Sequence, residues 1–172
     1  MAEGISTGDV APDFDLSSTE SALLMLRDEV GRKSVLLYVF ADAESEAVRR
    51  DLAALAERRE ALAKAHAKVL AMAPLKMPVL QALQAELRLP FPLLRDDRDF
   101  LAQYGVVAEE GETPAPALFL IDSGQVVVWM ARPVSGVASA FAEVEPLLAT
   151  AGSPTANYPK TVINRLVDRW VN

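Results

Sequence analysis

The residues of this chain that could do chemistry are few and widely spaced. Its 172 residues include no cysteine and a single histidine, His66. A thiolate nucleophile, a disulfide exchange step or a cysteine-held metal each needs sulfur as the reacting or ligating atom, so none belongs to this chain. A Ser-His-Asp relay would have to be built on His66, and no nucleophile elbow lies between a strand and a helix. Alone, His66 is read as a surface or edge-of-core histidine, late in a helix, because zinc or haem sites need more donors. The run RDDRD at 95–99 gathers three carboxylates. Its two arginines neutralise it, and no glycine and distal glutamate follow at calcium-loop spacing. That run is read as a capped loop leading into a helix. Glu109, Glu110 and Glu112 form an acidic loop that needs only solvent. Eight glycines, scattered, make neither a phosphate loop nor a dinucleotide fingerprint. The pattern calls for no metal and no cofactor.

The elements that would position a site are easier to read. A chain of this length and 51% hydrophobic content, without repeats, is expected to form one globular core. The net charge of -7 is spread along the chain, which disfavours nucleic acid as a partner. The N-terminal residues show neither a basic nor an apolar targeting region, and no stretch approaches 18 apolar residues, so the expectation is a cytoplasmic protein with no membrane span. Residues 34–40 (SVLLYVF) read as a central strand covered on both faces. From Glu44 to about Ala67, with Asp42 and Ser45 as caps, Val48, Leu52, Leu55 and Leu62 recur at helical spacing and predict one long amphipathic helix. Residues 68–73 follow as a strand, 77–87 as a helix with Pro78 in its first turn, and 99–104 as a short helix stopped by Gly105. Residues 117–122 and 125–130 read as a hairpin about a two-residue Ser123-Gly124 turn. A last core helix covers 137–150, interrupted or restarted at Pro146. Strand, helix, strand, helix is the crossover unit of a parallel sheet, so the class is α/β, a mixed central sheet with helices on both faces.

Five stretches in this order and spacing resemble the peroxiredoxin family, the alkyl hydroperoxide reductase and thiol-specific antioxidant (redoxin) branch of the thioredoxin fold. They are GDVAPDFDL at 8–16, SVLLYVFAD at 34–42, FPLLRD at 91–96, FLAQYGV at 100–106 and PAPALFLIDSGQVV at 114–127. In that family the central strand runs into a loop of pattern Pro, three residues, Thr, two residues, Cys, and that cysteine opens the long helix. Here the matching residues are Ala41, Ser45 and Val48. The family's arginine precedes a later strand and falls by spacing on or beside Pro116. The resemblance therefore implies a degenerate site at Ala41, Ser45, Val48 and Pro116, with no catalytic residue and no thiol peroxidase or disulfide reductase activity, since valine has no lone pair to offer a peroxide. Only Ser45 keeps a group able to bond the turn backbone. Val48 either fills the vacated position by packing inward or lines an apolar dimple for a small ligand. In thioredoxin-like proteins a cis-proline often begins the strand facing the site, which leaves Ala115-Pro116 open to either isomer.

Outside the resemblance, the turn-rich residues 152–159 separate a domain at 1–151 from a C-terminal linker and helix at 152–172. Val162, Ile163, Leu166, Val167 and Trp170 fall on one helical face there. That tail carries a net charge of +2, which leaves -9 for the rest of the chain. Its helix has three readings: packing on its own core, docking on a partner through Val162, Ile163, Leu166, Arg169 and Trp170, or lying on a membrane surface. The expectation is a catalytically inactive peroxiredoxin-like protein that acts as a protein-binding or structural subunit, as a homodimer or with another protein. The alternative is a small-molecule binder or non-redox enzyme using the pocket around Ser45, Val48 and Pro116.

Overall fold

An unbroken apolar run cannot sit at the edge of a sheet without exposing one face, so residues 34–40 must lie in the middle. The computed structural model, which describes residues 4–97, 99–108 and 110–152, places them there. In chain order the elements are β1 (Asp15–Leu16), β2 (Leu24–Met25), α1 (Leu26–Glu29), β3 (Ser34–Val39), α2 (Glu46–Glu57), α3 (Arg59–Lys64) and β4 (Ala67–Ala73). There follow α4 (Met77–Leu87), β5 (Leu93–Arg95), α5 (Asp99–Gln103), β6 (Ala117–Ile121), β7 (Val127–Ala131) and α6 (Val137–Ala151). The main sheet has the order β5-β4-β3-β6-β7. Strands β3, β4 and β5 are parallel, while β6 runs antiparallel to β3, and β7 to β6. This is the expected mixed sheet. The small antiparallel pair β1-β2 and the one-turn α1 had no readable signal at two and four residues.

Alternation along β3 divides the core in two. Leu36, Tyr38 and Phe40 point into one cluster with residues of α2, α3, α4 and α6. Val35, Leu37 and Val39 point into the other, with Phe14, Leu26, Leu101 and Tyr104. Every residue of β3 is fully buried, the condition under which alternating side chains hold both layers to one strand.

Four sequence expectations need correction. The long helix is two helices, because Arg58 interrupts it with φ -97° and ψ 8°. Its guanidinium takes the Ala54 carbonyl (2.9 Å) and lies 5.1 Å from the Phe141 ring centre, which compensates the broken ladder. His66 therefore stands beyond the helix, exposed and in the left-handed region at φ 55°, and Ala67 already belongs to β4. The hairpin turn is wider than two residues. Asp122 N donates to Val126 O, Gln125 N donates to Asp122 O, and the buried Asp122 carboxylate accepts from the amides of Gly124 and Val126. A carboxylate that serves both amides organises a longer loop than dipeptide chemistry suggests. Finally, α6 runs through Pro146 without restarting. A proline inside a helix costs about 3 kcal/mol, but the buried face of Val137, Ala140, Phe141, Val144, Leu148 and Ala151 offsets it. Asp96, from the RDDRD run, does cap α5, accepting from the Phe100 and Leu101 amides.

The N-terminal strap is held by a contact that tolerates no side chain. Arg132 donates from Nη1 to the carbonyls of Ile5 (2.9 Å) and Tyr104 (3.0 Å). A Cβ on Gly105, which sits at φ 76°, would lie 2.7 Å from that nitrogen and 2.8 Å from Gly4 Cα. Gly105→Ala is expected to lower stability by about 1–3 kcal/mol, from conformational strain and the clash together. Urea unfolding checks this, and an unchanged midpoint would show that the strap does not hold Gly105 in place.

Candidate functional site

The topology brings Ala41, Ser45, Val48 and Pro116 to one end of the sheet. Val39, the last residue of β3, pairs with Ala117, the first of β6, so Pro116 stands beside the residues that leave β3. Those residues pass through Ala41 and turn into α2 at Ser45. Ser45 is the N-cap: its Oγ accepts from Val48 N at 3.3 Å, while Asp42 accepts from Glu44 N at 2.9 Å. The hydroxyl thus retains a backbone role, satisfying an amide that helix geometry leaves without a partner.

Val48 lies one turn into the helix and is 3% exposed. It belongs to the buried cluster that includes Phe40, Ala43, Leu52, Val134 and Val137. The amides at a helix N-terminus favour negative charge; valine cannot use them. Two described arginines, Arg132 and Arg49, are engaged in structural contacts. Arg132 is committed to the N-terminal strap, as above. Arg49, next to Val48 in sequence, donates from Nε to the Ala43 carbonyl (2.8 Å) and from Nη1 to Glu86 of α4 (2.7 Å). That hydrogen bond, reinforced by the arginine's charge, holds the Glu86 carboxyl below its ordinary range. Pro116 is half-buried, and its carbonyl accepts from Val134 N at 2.9 Å. The Ala115-Pro116 bond is trans, since the cis bond among the described residues is Arg132-Pro133.

One polar group at this end of the fold escaped the sequence reading. Asp51, one turn beyond Val48, is buried, with Oδ2 accepting from the Tyr38 hydroxyl (2.8 Å) and Oδ1 from Val137 N (2.9 Å). The second bond is a helix cap supplied from outside. Gly136, the N-cap of α6, sits at φ 144° and has no side chain to offer its own helix. Burial, then the bond to Asp51 and its charge, push the Tyr38 hydroxyl well above the ordinary tyrosine range, so it stays a donor. The signal was present in the sequence: Asp51 lies on the stripe of Val48, Leu52 and Leu55, where a carboxylate must find buried donors.

The AhpC/TSA family matches residues 7–130. The chain belongs to that family. Its similarity extends to a Coxiella burnetii (strain RSA 493 / Nine Mile phase I) protein named "Putative peroxiredoxin bcp", 29% identical over 141 residues, or 77% of this chain and 93% of that one. Among solved structures, Peroxidoxin BcpB from Mycobacterium tuberculosis superposes with a TM-score of 0.76 at 18% identity, covering 84% of this chain and 96% of its own. Peroxiredoxin Q from Xanthomonas campestris does so at 0.74 and 19%, covering 87% and 98%. The fold is thus the thioredoxin-like, peroxiredoxin-type sheet that the motif order implied. AhpC/TSA relatives of this kind carry peroxiredoxin names, whereas this chain has no cysteine at any position. The tail residues Val162, Ile163, Leu166, Arg169 and Trp170 lie outside the described residues.

If Asp51 joins α2, β3 and α6, Asp51→Ala should cost about 2–6 kcal/mol, because two buried donors lose their acceptor at roughly 1–3 kcal/mol each. Tyr38→Phe should cost less, about 1–3 kcal/mol, since Val137 N keeps its cap. Chemical denaturation of both variants measures the order, and equal losses would mean that the α6 cap contributes nothing.

Proposed function

We propose that this protein is a catalytically inactive member of the AhpC/TSA family that acts as a protein-binding or structural subunit, paired with itself or with another protein. The observation that carries the reading is Val48: an apolar, buried side chain at the helix start where the family's pattern has its reacting thiol, in a chain with no other sulfur nucleophile. Without a thiolate, no sulfenic acid forms and no disulfide closes a cycle. What remains is a stable sheet and its surfaces. The C-terminal segment supports the same reading, because Trp and Arg are the residue types enriched where binding energy concentrates, and Arg169 and Trp170 lie together on it. The burial of Val48 and the engagement of Arg49 with the Ala43 carbonyl and Glu86 weigh against a ligand pocket there. None of the helices among the described residues is long and apolar enough to cross a membrane. A cytoplasmic location is part of the same proposal.

The test is affinity purification of the tagged protein from its own host, beside a version ending at Gly152, with mass spectrometry of what accompanies each. The expected result is a stoichiometric partner, or a second copy, retained by the full chain and lost on truncation. Recovery of both versions alone, as monomers, would overturn the binding role.

A further inference from the structure

Where α3 and α6 end side by side, the surface opens into a groove of about 490 Å³, lined by Ala61, Ala65, His66, Glu145, Leu148 and Ala149, with Lys64 and Gly152 at its margins. Its walls are mostly small and apolar. Alanines at 61, 65 and 149 would let a third helix come close to both neighbours, since interaxial distance is set by the side chains at the crossing. The described residues end at this groove: a Cβ on Gly152 would lie 3.0 Å from the Ala65 carbonyl oxygen.

We propose that the groove between α3 and α6 is the seat of the chain's own C-terminal segment, residues 160–171, which lays Val162, Leu166 and Trp170 along it. Three observations meet on this occupant. Gly152 lines the groove and is followed in sequence by the last 20 residues. The stretch to residue 160 can span roughly 3.3–3.6 Å per residue when extended, ample to double back over a neighbouring groove. The apolar positions 162, 163, 166, 167 and 170 recur as one helical face, which needs a cover. The charges agree as well: the segment is net positive and the body net negative, with Glu145 on one wall to meet Arg165 or Arg169 and Lys64 on the margin to meet Asp168. The partner reading uses the same segment, so this seat describes where the tail rests in the isolated protein, and a partner that takes Trp170 must first displace it.

The chain has two tryptophans, so Trp129→Phe leaves Trp170 as the only reporter. In that background Trp170 should emit to the blue of the urea-unfolded chain, independent of protein concentration, and resist quenching by iodide. Ala61→Lys and Ala149→Lys, each at an exposed position, put bulk and like charge into the groove. Each should shift the emission to the red and raise quenching several-fold, while far-UV circular dichroism stays native. Ala102→Lys, exposed on α5, should change neither. Because the native chain has no cysteine, Ala149→Cys with Leu166→Cys gives a second readout that keeps Trp129: oxidation should close a disulfide within one chain. Unshifted emission in both lysine variants, a blue shift lost on dilution, or a cross-link found only between chains would overturn the proposal.

Discussion

A single buried carboxylate fixes the geometry on which the rest of this fold depends. Asp51 projects from α2 and accepts one hydrogen bond from the central strand, through Tyr38, and one from the first amide of α6. Three elements that are far apart in sequence are thereby held to one another at a point where water does not reach. The arrangement is self-consistent. A glycine is needed at position 136 because the chain turns there at φ 144°, that glycine cannot cap its own helix, and the cap comes from Asp51. Leaving any of these groups without its partner in the interior would cost more than the bond itself contributes.

That constraint also bears on how a peroxiredoxin-type scaffold accommodates a valine at position 48. Position 48 lies one turn before Asp51 on the same face of α2, so its side chain is directed into the layer of Phe40, Ala43, Leu52 and Val137. A valine buried there contributes roughly 1.5–3 kcal/mol of transfer free energy, and its β-branched side chain loses little rotamer freedom on burial. The arginines that might have supplied charge are used for construction instead. Arg132 ties the N-terminal strap to the segment after α5, Arg49 joins α2 to α4, and Arg58 closes the end of α2 against Phe141. Each is spent on carbonyls, carboxylates or a ring, including Arg49, which sits in the first turn of α2 and is held by the Ala43 carbonyl and Glu86.

Much of this was legible in the residues, for identifiable reasons. The apolar run at 34–40 and the 77–87 helix were readable because their patterns are long and their ends carry turn or proline signals. At the candidate site, the Ser45 cap was readable because a hydroxyl just ahead of an amphipathic run is a helix-start signal. Other features depended on contacts that no local pattern contains. The break at Arg58 is stabilised by Phe141, more than 80 residues away, and the wide turn at 122–126 is organised by one side chain serving two amides. Pro146 predicts an interruption or restart of the helix because local propensity carries no information about the sheet that α6 covers. Asp51 was passed over because its partners, Tyr38 and Val137, become neighbours only when the sheet forms.

On the function proposed above, the AhpC/TSA fold is kept here without the family's thiol chemistry. The most direct test is the consumption of hydrogen peroxide and an organic hydroperoxide by the purified full-length protein, supplied with a thioredoxin and its reductase. The account predicts rates equal to those without the protein, for both substrates and at every protein concentration. Peroxide consumption that rises in proportion to the protein would contradict it, and would require a reacting group other than sulfur.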